Sequence, residues 1–202
     1  VVAMYYCNLS QPGADEWFAA FEHLEAAAES RDLQEAIRVA IHAAYALEGS
    51  GHARELQGIL RRASGYAVRL NDTMGEAEIQ CRLGAILRLM GQYAEAEVCL
   101  KTSVAMHRQG NERELTGWVL YELTVLYYEI GDFQQAKFYG EDALALFQEM
   151  SLARGDAYMH MILGQISHGR GKYHDAQEHF KYALTIFIEL HDPIGRALTL
   201  GN

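Results

Sequence analysis

The chain has 202 residues, half of them hydrophobic and only two of them proline, so it can build a core and favours helix. Its 17 basic against 27 acidic side chains leave a formal net charge of −10, which excludes the concentrated positive charge that nucleic acid or an anionic membrane requires. Three cysteines make no disulfide framework, and no apolar run approaches the ~20 residues of a membrane span.

Residues 1 to 11, with Tyr5 and Tyr6, are apolar and aromatic and read as the tail of a preceding helix. Gln11-Pro12-Gly13 breaks the chain. Asp15 is placed to cap a helix running to about Ser30, with Trp17, Phe21, Leu24 and Ala28 as its buried stripe. Residues 1–31 are thus a helical lead-in, and Asp32 is placed to cap the next helix. That helix ends near Glu48, at Gly49-Ser50-Gly51, and a second helix follows over 52–70. The second carries Arg54, Arg61, Arg62 and Arg69, which form either a solvated outer face or a docking stripe for an acidic partner or an upstream domain.

From there the chain repeats. Leu83, Gly84, Leu87, Gly91, Tyr93, Ala96, Leu100 and Ser103 recur 40 residues on as Leu123, Thr124, Tyr127, Gly131, Phe133, Ala136, Gly140 and Ala143. Another 40 residues give Leu163, Gly164, Ser167, Gly171, Tyr173, Ala176, Phe180 and Ala183. Such a period marks a stack of supersecondary units, none of which buries both its faces alone. The units span 32–71, 72–111, 112–151 and 152–191, and a further one starts at 192–202. Asn71-Asp72, Asn111-Glu112 and His191-Asp192-Pro193 are equivalent junctions. Gly84, Gly164, Ala96, Ala136 and Ala176 are small because two helices approach closely there; Tyr93, Phe133 and Tyr173 fill the gap to a neighbouring helix. A valine start and a stop inside a new unit lead us to expect a piece of a longer protein.

These slots resemble the tetratricopeptide repeat over about 32–202. The resemblance implies an all-α, right-handed α-solenoid of helix pairs. The period departs from the family's usual length of about 34 residues, so each helix is expected to be longer, and Leu56 stands where a small residue is usual. Long repeats of this kind are similar to those appended to signal-transducing (STAND/NB-ARC-like) nucleotide-switch ATPases and transcriptional regulators. Trp17, Glu22, Leu24 and Ala26-Ala27 look like the stretch preceding them. Kinesin light chains and polarity adaptors carry long repeats too.

The resemblance also implies a concave groove lined by the first helix of each pair. The expected lining is Tyr45 and Arg88, then Trp118, Tyr121, Val125 and Tyr128, then Tyr158, Met161, Gln165 and His168, facing a protein or peptide segment. Alternatively, Trp118, Tyr121 and Met161 pack against the next repeat. Family members that grip a chaperone's C-terminal carboxylate use lysine and asparagine on this face. Here those slots hold Cys81, Tyr121 and Met161, and Ala85, Val125 and Gln165, so that ligand is not expected. Truncating Trp118 and Tyr121 together is expected to abolish capture without unfolding the chain.

Catalytic and cofactor patterns are missing. His174 and His179, five apart on one helix, cannot share an ion, and His160 and His168 lie some two turns apart. There is no HExxH, no phosphate loop around Gly169 and Gly171, and no GxSxG. Glu95, Glu97 and Asp142 fall on expected solvent faces. Cys81 and Cys99 read as small packing thiols in a reducing, cytoplasmic setting; the alternative is a bridge between them. The sequence thus predicts a binding module without cofactor or metal, the sensor of a larger signalling or transcription-regulatory protein, with an upstream ATPase domain as a possible partner. The competing expectation is an adaptor or homo-oligomerisation arm, associating through VVAMYYC or 192–202.

Overall fold

A computed structural model describes residues 13–27 and 29–201. The expected helix tail at 1–11, Cys7, Ala28 of the first stripe and Asn202 lie outside these residues. Among the described residues the chain is helical without strands: α1 Ala14–Ala27, α2 Ser30–Ala46, α3 Ala53–Leu70, α4 Thr73–Leu89 and α5 Tyr93–Gln109, then α6 Arg113–Ile130, α7 Phe133–Glu149, α8 Ala153–Gly169, α9 Tyr173–Glu189 and α10 Pro193–Leu200. They form two compact units, one up to Gly110 and one from Asn111.

The periodic turns set these helices. Gly91, Gly131 and Gly171 sit at φ +73°, +86° and +74°, a left-handed conformation that glycine adopts without steric cost. The junctions use a second left-handed residue, Asn71, Asn111, Ser151 or His191, at φ between 52° and 58°. At two of them an aspartate then caps the next helix: Asp72 accepts from the Gly75 amide at 2.9 Å, and Asp192 from the Gly195 amide at 2.9 Å. The expected caps at Asp15 and Asp32 are different. Their helices start earlier, at Ala14 and Ser30, so both carboxylates lie inside the first turn, where they meet the positive end of the helix dipole.

In the first unit α2 packs on α3 and α4 on α5, while α3 also contacts α4 and α1 contacts α2. Helix α1 therefore does for α2 what the second helix of a pair does for the next pair. Trp17, Phe21 and Leu24 are its buried stripe, as the spacing predicts. The arginines of α3 are drawn into this packing. Arg62 reaches Glu25 of α1 at 2.8 Å with its guanidinium over Phe21, and Arg61 reaches Glu95 of α5 at 2.8 Å. Glu25 also accepts from the Tyr66 hydroxyl.

In the second unit α6 packs on α7 and α8 on α9, with α7 also against α8 and α9 against α10. Phe147 and Phe187 are its largest wholly buried side chains. A Cβ on Gly155 would lie 2.5 Å from the Phe147 ring, one on Gly117 2.7 Å from it, and one on Gly195 2.4 Å from Phe187. Each ring thus occupies space that the next helix leaves by lacking a side chain.

Within pairs, size is traded across the interface. A Cβ on Gly84 would meet Leu100 at 2.6 Å, and one on Gly164 would meet Phe180 at 2.6 Å. In the α6–α7 pair the order reverses: Thr124 takes the glycine slot, and its methyl would stand 3.3 Å from a Cβ on Gly140, which replaces the large residue. There Met159 and Leu163 of α8 complete the filling, at 3.3 and 3.5 Å from the same Cβ.

Tyr93 and Tyr173, expected to plug gaps, are 36% and 67% exposed. Phe133 shows what that slot normally touches, because a Cβ on Gly169 of the next first helix would lie 3.1 Å from its ring. Among the described residues no helix is long and apolar enough to cross a membrane.

Candidate partner-binding surface

In the second unit the first helices α6 and α8 bring three rings together. Trp118 lies 6.1 Å from Tyr121 and 5.9 Å from Tyr158, and Tyr121 lies 6.0 Å from Tyr158, all edge-to-face. Such T-shaped contacts suit the ring quadrupoles. The cluster is tied to the core behind it: Trp118 is 5.0 Å from Phe147, and Tyr158 is 4.9 Å from Phe187. Arg154 sits 5.8 Å over Tyr158. All three rings remain half-buried, as do Val125, Tyr128 and Gln165 further along the helices, and His168 is exposed. Tyr128 leans on Phe133 at 6.1 Å, and His168 meets Tyr173 edge-on at 5.3 Å.

Trp118 and Tyr121 pack against Tyr158 of the next repeat, and all three rings are half-buried. Met161 is different. It is 4% exposed and belongs to a core cluster with Ala157, Ala183 and Phe187, because its slot faces α9. The expectation of an exposed Met161 is corrected accordingly. The same slot is buried at Ile41 and Cys81, and holds a half-buried ring only at Tyr121. Trp118 also changes status: its contacts with Phe147 and Tyr158 mean that truncating it costs stability, so the double truncation is no longer a neutral probe of capture.

In the first unit the expected residues do not gather in this way. Tyr45 is 50% exposed, and its ring is covered by the Arg82 guanidinium at 4.1 Å, a cation–π contact. Arg82 is itself buried and stands 3.8 Å from Glu48. Arg88, expected to be exposed, is only 9% exposed. Cys81 is buried and Cys99 half-buried; both are thiols, and burial pushes the Cys99 pKa up.

One cluster was not read from the sequence. His160 on α8 faces His179 on α9, Nδ1 to Nδ1, at 3.0 Å. Asp156, one turn before His160, accepts from Tyr182 Oη at 2.8 Å and Gln148 Nε2 at 3.1 Å. A signal for it was present: in an antiparallel helix pair, residues at similar distances from the turn meet, and these lie 11 before and 8 after Gly171. Among the described residues no three His, Cys, Asp or Glu side chains converge as a metal site.

Known proteins bear on this geometry. The tetratricopeptide repeat family matches over residues 75–149. No curated protein sequence matches the chain. Among solved structures it is similar to BtubC (BKLC) from P. vanneervenii, at 17% identity and TM-score 0.74, over 91% of this chain and 77% of that one. It is also similar to a Rap protein complexed with competence and sporulation factor, at 17% identity and TM-score 0.74, over 95% of this chain and 53% of the Rap chain, about half its length. Nearly identical TPR-like repeats of a Podosopora anserina kinesin light chain align at 16% identity and TM-score 0.58, over 90% and 100% of the two chains. At such identities the likeness shows the fold alone: an all-α solenoid of tetratricopeptide-type helix pairs.

Proposed function

With tetratricopeptide repeats over 75–149 and helix pairs of the same period beyond them, we propose that this chain binds a protein or peptide segment and catalyses nothing. The capture surface is the α6–α8 strip of Trp118, Tyr121 and Tyr158, extended by Val125, Tyr128, Gln165 and His168. One observation carries this reading: three half-buried rings locked edge-to-face at 5.9 to 6.1 Å. Aromatic surface ordered in advance loses little side-chain freedom on binding, which is why such residues serve as anchors. Tyr45 and Arg88 belong to the first unit, where no comparable strip supports a role for them.

The Rap protein, solved with competence and sporulation factor, shows that a related fold holds a partner. By that likeness we take the pairs from residue 32 onward as the cytoplasmic sensor of a larger signalling or transcription-regulatory protein, coupled to a switch domain such as an ATPase. A second reading, an adaptor or self-association arm, has the exposed Ile194, Leu198 and Leu200 of α10 in its favour. Sedimentation of the full chain separates them: the sensor reading expects a monomer, and a dimer lost on Ile194→Glu expects the arm.

Capture is tested with a displayed random-peptide library. Selected binders should lose at least about tenfold in affinity on Tyr121→Ala, one hot-spot residue's worth. They should keep it on Phe138→Ala, an aromatic on α7 that is 63% exposed. Binders indifferent to Tyr121→Ala would remove the strip from the account.

A further inference from the structure

The contact between His160 and His179 obeys a strict proton count. Two imidazole nitrogens 3.0 Å apart share a single hydrogen, so one Nδ1 donates and the other is bare. His160 is fixed on its remaining sides. The Tyr182 ring lies 4.2 Å from its centroid, and its Nε2 stands 3.8 Å from Asp156 Oδ1, within reach of an ion pair. Asp156 is held in place by Tyr182 and Gln148 and is 7% exposed.

The groups facing the pair can be named element by element. Asp156 comes from α8. From α9 come Tyr182 beside His160, and Asp175 and Glu178 acting on His179. Helix α7 contributes the uncharged amide of Gln148. The charged groups that act on the two rings are thus Asp156 on His160, and Asp175 and Glu178 on His179. Burial pushes both imidazoles below the ordinary value of 6.5, against the pull of Asp156 on one and Asp175 on the other.

A first added proton fits this arrangement. It resides on an outer Nε2, and a cationic ring then donates through Nδ1 to the bare Nδ1 of its neighbour. A second proton does not fit, since both Nδ1 atoms would carry hydrogen and two positive rings would touch. We infer that the His160–His179 pair is an acid-operated latch: it closes α9 against α8 at neutral pH, and on taking its second proton it opens that pair and unseats Tyr158 from Phe187. Tyr158 lies two residues from His160 on α8 and rests on the α9 ring Phe187 at 4.9 Å, so the aromatic strip sits on the interface that the latch governs. The device is confined to this pair. The equivalent slots 40 residues earlier hold Leu120 and Tyr139, and those 80 earlier hold Gln80 and Cys99, so neither can take up protons near neutrality.

The test uses the full chain without a partner, so its failure and the failure of the capture reading are separate results. Long-range imidazole NMR should show the two rings titrating in coupled steps below the ordinary histidine value. Amide exchange in α8 and α9, corrected for its intrinsic pH dependence, should quicken by about tenfold or more between about pH 7 and about pH 5, and α4 and α5 should not follow. His179→Asn, which cannot take the second proton, should remove that quickening. Independent titration of the rings, equal α8–α9 protection at both pH values, or the same loosening in His179→Asn would each overturn the latch. Should the variant not fold, the wild-type exchange profile decides alone.

Discussion

The unit ending at Gly110 and the unit starting at Asn111 use one backbone period with two different fillings. In the first, charged side chains of α3 and α4 do much of the joining: Arg62 to Glu25, Arg61 to Glu95, Arg82 onto Tyr45. The slot that holds Phe147 and Phe187 in the second unit holds His107 and Ala67 in the first. In the second, rings do the joining, and glycines on the facing helices make room for them. The difference teaches that the turns specify where helices start and stop, while the residues between them decide whether a unit's inner face is ionic or aromatic. Only an aromatic face leaves apolar surface both ordered and accessible.

This contrast can be broken most forcefully at Phe147. Phe147→Ala removes a wholly buried ring seated against two glycines and should cost ~3–5 kcal/mol in urea unfolding. A loss below ~1 kcal/mol would mean that the ring is not the keystone of its unit. Next comes the size trade. Gly140→Leu alone should overpack Thr124 and cost ~1–3 kcal/mol. Combined with Thr124→Gly it recreates the Gly84–Leu100 arrangement, and a double-mutant cycle should recover most of the loss. Strict additivity would show that the two slots do not share one gap.

A pH series sharpens the same contrast. The pKa values of His160 and His179 are lowered in the folded chain, so below 6.5 the unfolded chain takes up protons that the folded one resists. Their contribution to stability is therefore complete above that pH and is lost as the pH falls below it. His160→Gln should flatten the acid limb of the stability curve, and an unchanged limb would place its cause elsewhere. The smallest effect belongs to the first unit. Arg62→Met breaks an ion pair whose side chains are 46% and 23% exposed, so no more than ~1 kcal/mol should be lost, and less at high salt.

Much of the fold was legible in the sequence because the turn glycines Gly91, Gly131 and Gly171 recur at one interval and mark where the chain takes left-handed backbone. The period, the helix pairs and the close-approach glycines follow from that. What stayed hidden depends on contacts between helices rather than on position along one. Met161 and Tyr121 share a slot, yet one is buried and the other half-exposed, because burial there is set by what the facing helix supplies. His160 and His179 look unrelated 19 residues apart until the hairpin folds them together. Asp15 and Asp32 lie two and three residues past the positions that precede Ala14 and Ser30, because side-chain type alone does not fix a helix start and the backbone begins each helix earlier. Of the candidate surface, the aromatic strip of the second unit could be anticipated, while the arginine-covered Tyr45 could not.

The central claim is that the α6–α8 strip takes the partner. The most direct measurement is amide exchange across the whole chain with and without a library-selected peptide. The account predicts new protection concentrated on α6 and α8, around Tyr121 and Tyr158, with α3 and α5 unaltered. Protection centred instead on the arginine-bearing α3, or on α10, would contradict it.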